Sequence, residues 1–169
     1  MNTEMTRAVP DVLDALARAP AIIIPMVREV PREVLKRRPR PGKWSAHEHA
    51  CHLAAVHPMF FARLALMREQ DHPAIRGYQP EREQSPDALL AVDLDDALRR
   101  FADDRAELVA RLCQLRPDEW ARTAEHEEYS HYSIFILFRH AVLHDMLHAY
   151  RIEECLLQKA WPDDSGQGR

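Results

Sequence analysis

The sequence has 169 residues, which fits one domain because compact domains most often run to about 100–150 residues. Hydrophobic residues make up 46% and charged residues 30%, as in a soluble globular protein, and the presence of only 4 glycines favours helices. A net charge of −4 leaves no basic excess for contacts to a phosphate backbone, so nucleic acid is not an expected partner.

The three cysteines are odd in number, lie far apart and contain no CxxC pair: Cys51, Cys113 and Cys155. This pattern argues against a disulfide framework and against a cysteine-based zinc site, and it indicates a reducing compartment. Residues 1–10 lack the basic-then-apolar pattern of a signal peptide, and we find no apolar run of the roughly 18–20 residues that span a membrane. We therefore expect a cytoplasmic protein without a membrane partner.

The first predicted helix runs from Val12 to about Arg28, and Pro20 and Pro25 inside it are expected to kink or split it. Prolines 31, 39 and 41 then predict a connector with one helical turn around Val34. The basic residues of this connector are interpreted as a solvated segment rather than a binding patch, because the chain as a whole is acidic. They are Arg32, Lys36, Arg37, Arg38 and Arg40.

The second predicted helix begins with a capping box, in which Ser45 caps early amides and Glu48 reaches back to the cap. It runs to about Arg68, with Pro58 expected to bend it. Residues 72–86 are rich in Pro and Gly and predict a long loop.

The third predicted helix begins with Ser85 as N-cap and Pro86 at the first helical position, and it ends at about Leu115. A short turn over residues 117–120 and a polar segment over 121–131 follow, and the last helix covers roughly Ser133 to Lys159. No segment shows strand-like alternation. Four principal helices predict an all-α four-helix bundle in one domain, residues 1–162, followed by a disordered tail, residues 163–169.

Ten histidines are many for this length, and most lie in the second and last predicted helices. His140, His144 and His148 step by four, so neighbouring pairs lie on one helical face, about 5–6 Å apart at their Cβ atoms. One such pair and a third histidine from a facing helix would make a three-ligand metal site with an open position, as in catalytic zinc sites. The spacing leaves open whether His140/His144 or His144/His148 is the pair, and whether His49 or His52 is the third ligand.

Two motifs resemble those of the DinB-like family. Residues 41–45, PGKWS, followed by Glu48 and by residues 52–54, HLA, resemble the opening of these proteins, and residues 144–148, HDMLH, resemble their C-terminal HxxxH motif. The polar segment 125–129 lies where the family has a short loop, and the resemblance covers the chain from about Val12 to Leu157. It implies a four-helix bundle of unusual connectivity and a metal held by His52, His144 and His148.

The resemblance also implies candidate activities. We expect a metal-dependent enzyme that uses Zn or Ni, and most concretely an S-transferase that joins a low-molecular-weight thiol to a small electrophile. A metal-dependent hydrolase and a non-catalytic metal- or ligand-binding bundle with a stress-response role are the alternatives. Small-molecule substrates are the expected partners, and a homodimer is included because bundles of this size often bury an apolar face in one.

Several neighbouring residues receive an interpretation as well. Arg151 stands where many relatives have glutamine, and a cation there would either alter the preference for an anion or a thiol ligand or point to solvent. His126 and Glu127 are candidate proton carriers, although exposed loop positions are the favoured interpretation for both. The remaining residues are assigned supporting roles: Glu48 a helix cap, Asp145 a surface salt bridge, His49 and His140 neighbours of the metal, Trp44 packing at the helix entrance, and Cys51 a buried apolar residue.

Overall fold

Four long helical stretches form a bundle, as the sequence predicts. The computed structural model describes residues 3–77, 85, 87–159 and 161, and the predicted tail 163–169 lies outside them. Its α-helices are the following: α1 (Thr3–Glu29), the one-turn α2 (Arg32–Leu35), α3 (Ala46–Ala55), α4 (His57–Glu69), α5 (Leu94–Cys113) and α6 (Ile134–Leu157). Helices α3 and α4 follow each other directly and together make the second long stretch.

The connectivity departs from a simple up-and-down bundle. Helix α1 packs mainly against α5 and α6, and α3 packs against the same two helices. The first and second long stretches are therefore diagonal to each other, whereas consecutive helices are neighbours in an up-and-down bundle. This arrangement places α3 directly beside α6.

The helix starts follow their capping residues. The predicted capping box of Ser45 and Glu48 is confirmed, and the Ser133 side chain caps α6 by accepting from the amide of Ile136. The predicted start of the third helix at Ser85 is wrong, because α5 begins after Asp93, whose side chain accepts from the amide of Asp96. Residues 88–91 of the predicted helix form a separate 3-10 turn instead, and Pro86 lies outside the described residues.

The prolines interrupt less than predicted. Helix α1 is continuous from Thr3 through Pro10, Pro20 and Pro25, so the expected split does not occur, because its apolar face stays buried in the bundle. The break between α3 and α4 falls at Val56, and Pro58 lies in the first turn of α4, where the missing amide proton costs little. The predicted single turn around Val34 is present as α2.

A two-stranded parallel pairing was not predicted. Strand β1 (Ala74–Ile75) pairs with β2 (Glu125–His126), joining the loop after α4 to the polar segment before α6. The amide of Glu125 donates to the carbonyl of Pro73 at 3.0 Å, and that of Glu127 to the carbonyl of Ile75 at 3.2 Å. Strands of two residues are too short to show a period in the sequence.

The core consists of two apolar clusters separated by polar side chains. One cluster includes Leu16, Phe60 and Phe138, and the other includes Ile23 and Phe101. Between them lie buried or partly buried polar residues, here named the polar layer: His52, His57, Arg105, His144, Asp145 and His148.

The stretch Ala46–Glu69 is long and apolar enough to cross a membrane by length and composition, so the expectation that no such run exists is wrong. Such a criterion is also met by core helices of soluble proteins. Here 56% of the apolar window is buried inside the bundle, and the stretch contributes two histidines to the polar layer. We therefore interpret it as a core element.

Candidate metal centre

Three histidine side chains from two helices converge at one point. The Nε2 atom of His144 on α6 lies 3.1 Å from the Nε2 atom of His52 on α3 and 3.1 Å from the Nε2 atom of His148 on α6. One potential ligand atom from each of the three residues lies within 4.8 Å of the other two. Three imidazoles at about 2.0–2.1 Å from a tetrahedral zinc ion would have their nitrogens about 3.3 Å apart, so the observed separations fit a metal ion.

The fold explains this convergence. His144 and His148 are four residues apart on one face of α6, and α3 packs against that helix with His52 about two turns after the Ser45 cap. Because the capping box fixes where α3 begins, it also fixes which of its side chains point towards α6.

Burial keeps the three rings neutral. It lowers the pKa of His52 to about 3, that of His144 to about 4 and that of His148 to about 2, with the neighbouring histidines as a further cause in each case. At neutral pH each ring therefore offers a nitrogen lone pair, which is the form that binds a divalent metal.

One nitrogen of the cluster faces more hydrogen-bond partners than it can satisfy. The Nε2 atom of His144 has a single lone pair or a single proton in the ring plane, and it faces two other Nε2 atoms at 3.1 Å. It can satisfy only one of them well. The Nδ1 atom of His144 is buried and has no hydrogen-bond partner among the described residues. A cation that accepts all three Nε2 lone pairs resolves the conflict at the centre.

His49 contacts His148 through the ring nitrogen that does not face the cluster. Its Nδ1 atom lies 2.8 Å from the Nδ1 atom of His148, so a proton shared there leaves the Nε2 lone pair of His148 facing His52 and His144. Trp44 packs against the same group. Its ring centroid lies 4.9 Å from that of His52 and 6.0 Å from that of His148, and its ring plane is inclined by 22° to the His148 ring. Trp44 is thus in direct contact with the cluster, beyond the predicted packing at the helix entrance.

The structure shows which of the candidate histidines lie together. His52, not His49, lies with its Nε2 atom at the cluster, and His144/His148 is the converging pair. His140 is exposed and lies near Tyr129, with ring centroids 6.2 Å apart.

Cavities border the cluster on two sides. One, of about 660 Å³, is lined by His49, His148 and Trp44 together with residues 39–43 and the end of α6. Another, of about 200 Å³, reaches His144 and is lined by His126, Tyr129 and Tyr132 among others. The two cavities therefore reach different members of the cluster, His148 in the first and His144 in the second.

Two of the interpretations of neighbouring residues are wrong. Asp145 is not a surface residue but is 3% exposed and forms a buried ion pair with Arg105. The helical geometry does turn it away from the histidines, but the side it faces is the bundle interior. His126 is buried as well, because β2 pairs with β1 at that position. Its ring centroid lies 4.4 Å from that of Tyr132.

Other interpretations agree with the structure. Glu127 is exposed, and its side chain accepts from the amide of Gly77 at 3.1 Å. Cys51 is buried, which raises the pKa of its thiol to about 12. Glu48 caps α3 and also accepts from Arg38, so one basic residue of the connector is an ion-pair partner rather than solvated.

Sequence reasoning missed Arg105 as a member of the polar layer. This fully buried guanidinium donates to both carboxylate oxygens of Asp145, to the Nε2 atom of His57 at 3.1 Å and to the carbonyl of Leu16 at 3.3 Å. The only signal in the sequence is its place on the apolar face of α5, between Phe101 and Leu108.

Comparisons with known proteins agree with this fold. The sequence profile of the DinB superfamily matches residues 15–152. YfiT from Bacillus subtilis, described as a probable metal-dependent hydrolase with an unusual four-helix bundle topology, has a similar structure, with a TM-score of 0.81 and 21% sequence identity. The similarity covers 96% of this chain and 91% of YfiT.

A DinB-like protein of Bacillus subtilis, YjoA, is similar at a TM-score of 0.59 and 13% identity, over 90% of this chain and 96% of that one. No curated protein sequence matches. At these identities the solved structures show a shared fold.

Proposed function

This chain belongs to the DinB superfamily, and on that premise we propose that it is a metal-dependent enzyme that hydrolyses a small-molecule substrate at His52, His144 and His148. One observation carries the proposal: three neutral imidazole nitrogens converge where two cavities meet the bundle interior. The description of YfiT as a probable metal-dependent hydrolase supports the reaction class.

We propose Zn or Ni as the ion, since both accept neutral imidazole ligands. An ion held by three protein ligands with an open position lowers the pKa of a bound water to about 7 and polarises a substrate carbonyl. The residues of this chain supply the surroundings. His49 orients His148, Trp44 shields the ring faces from water, and the buried Arg105–Asp145 pair holds the segment of α6 that carries two ligands.

His126 is a candidate proton carrier for this reaction. Its Nδ1 atom accepts from the amide of Glu128 at 3.1 Å, which places the ring proton on Nε2, and the residue lines the cavity that reaches His144. A donor on that cavity wall suits protonation of a leaving group.

Thiol S-transfer is the second candidate. The presence of cavities on two sides of the cluster favours it, because a thiol cosubstrate and an electrophile need separate places. The chain offers no thiolate of its own there, since burial raises the pKa of Cys155 in the larger cavity. The three free cysteines agree with the reducing cytoplasm that we propose as its location.

The test is an activity screen on protein loaded with Zn²⁺ or Ni²⁺. We expect hydrolysis of 4-nitrophenyl esters without added thiol, and its loss in the His144→Ala, His148→Ala variant. Consumption of a chloro-dinitrobenzene only when cysteine or glutathione is present would instead establish the transferase. Bound metal with no turnover in either assay would contradict both enzymes and leave a non-catalytic metal-binding bundle.

A further inference from the structure

The larger cavity beside the histidine cluster is basic, although the chain as a whole carries a net charge of −4. We call it the basic cavity. Its charged lining residues are Arg40, Lys43, Arg151 and Glu154, three cations against one anion. A cavity of one sign on a protein of the opposite sign concentrates the potential at that place.

The cations of the basic cavity are not all compensated. Arg151 forms an ion pair with Glu154 at 2.6 Å. Arg40 and Lys43 have no carboxylate partner among the described residues. Exposed arginines elsewhere, such as Arg18, Arg99 and Arg116, do pair with a nearby carboxylate. Two positive charges therefore remain available in a cavity that includes His148.

A tight turn holds Arg40 and Lys43 at the cavity. The amide of Lys43 donates to the carbonyl of Arg40 at 3.1 Å, and Gly42 has a φ of +74°. A type II turn requires a positive φ at its third position, where glycine is favoured, and proline is common at its second position. A residue with a side chain would be strained at Gly42, so the turn that places the two cations depends on this glycine.

We propose that the basic cavity binds an anionic group, a carboxylate or a phosphate, of the small molecule that reacts at the histidine cluster. This inference rests on the proposed function in one respect, which is that the same small molecule reacts at the histidine cluster. A volume of about 660 Å³ suits a small molecule rather than a bare ion. Arg151 is then a specificity-determining residue, because its planar guanidinium has N–H groups beyond the Nη1 paired with Glu154 and can donate to two anionic oxygens side by side.

Binding to metal-free protein tests this without any activity. Calorimetric titration with succinate, with inorganic phosphate and with neutral succinamide separates charge from shape. We expect succinate or phosphate to bind at least roughly tenfold more tightly than succinamide, and whichever binds identifies the group. Arg151→Gln and Lys43→Gln should each weaken that binding by roughly five- to tenfold.

Arg99→Gln is the matched control, because Arg99 is also an exposed arginine in an i, i+3 ion pair, on α5. It should leave binding unchanged, and all variants should keep the thermal midpoint of the wild type. Equal binding of succinate and succinamide would overturn the proposal, as would equal losses in Arg99→Gln and Arg151→Gln.

A kinetic pair separates this inference from the proposed function. Metal-loaded protein should hydrolyse the anionic mono-4-nitrophenyl ester of succinate with a lower KM than the neutral methyl 4-nitrophenyl diester, and Arg151→Gln should remove that preference through KM. Hydrolysis of both esters without any preference for the anion would overturn the basic cavity alone. Arg151-dependent succinate binding without hydrolysis of either ester would overturn the proposed function and support the cavity.

Discussion

The polar layer has two halves, one around His144 and one around Asp145. These are consecutive residues of α6, yet the two halves have opposite chemistry. His144 points to a group of neutral nitrogens that borders two cavities, whereas Asp145 points into a sealed ion pair with Arg105. Every group around the guanidinium of Arg105 accepts a hydrogen bond from it. The nitrogens at the histidine cluster instead compete for the same protons.

This difference separates a structural role from a functional one. A buried charge with all its partners present stabilises one packing of the helices, and a group of converging lone pairs gains its partner only from a ligand. Burial raises the pKa of Asp145, and Arg105 opposes that rise, so the carboxylate depends on the guanidinium for its charge. The first half should therefore govern stability, and the second should govern metal binding.

The largest effect on stability is expected from Asp145→Ala. Removal of the carboxylate leaves the Arg105 guanidinium buried without its counter-charge, which should cost about 3–5 kcal/mol of unfolding free energy. Urea denaturation in the presence of a chelator measures this. The control is Asp14→Ala, at the exposed pair with Arg18, where we expect a loss below about 1 kcal/mol. Similar losses of unfolding free energy in the two variants would contradict the expected difference between a buried and an exposed ion pair.

His52→Ala should behave in the opposite way. We expect little change in the unfolding free energy of the metal-free protein, but loss of the stabilisation that metal brings, about 2.7 kcal/mol at a free metal concentration of 100 times Kd. Denaturation with and without Zn²⁺ measures the difference. His47→Ala is the control, since His47 is equally buried on α3 but lies against the carbonyl of Leu89. Zinc should still stabilise that variant, and an unchanged zinc effect in His52→Ala would exclude His52 as a ligand.

A smaller effect is expected from His49→Ala. His49 contacts His148 through Nδ1 and does not reach the cluster itself, so its removal should weaken metal binding by about 10–100-fold rather than abolish it. Competition against a chromophoric chelator gives the affinity. A loss as large as that of His52→Ala would mean that His49 is itself a ligand.

Within any one pH unit, the smallest effect is expected in the pH dependence of stability, which reports on the half of the polar layer around Arg105. Burial beside Arg105 lowers the pKa of His57 to about 4, against about 6.5 in the unfolded chain. Between these values the unfolded chain binds a proton that the folded chain does not, so stability falls as pH falls from about 6.5 towards 4. His57→Gln should reduce this slope by up to about 1.4 kcal/mol per pH unit. Chelator-treated wild type and variant with identical slopes would contradict the assignment.

Much of the fold was predictable because its signals are local. The capping box at Ser45 and Glu48 and the cap at Ser133 fix two helix starts, and both lie at the ends of long apolar-periodic segments. The cap at Asp93 was overlooked because Ser85-Pro86 offers a similar local pattern eight residues earlier. Local patterns of that kind compete, and packing of the following helix decides between them.

The site was predictable only in part. The i, i+4 step made His144 and His148 a candidate pair, but choosing His52 as their partner needed the family resemblance, since spacing alone cannot say which helices face each other. The sequence signals Arg105 only by its place on the apolar face of α5, and it carries no local signal for the burial of His126. Both depend on contacts between segments distant in sequence: α5 against α6, and β1 against β2.

Metal content tests the central claim most directly. Purified wild-type protein and the His144→Ala, His148→Ala variant are dialysed against Zn²⁺ or Ni²⁺, freed of loose ions and measured by elemental analysis. We predict about one metal ion per chain in the wild type and almost none in the variant. Equal, near-zero metal in both proteins would contradict the metal centre and the function built on it.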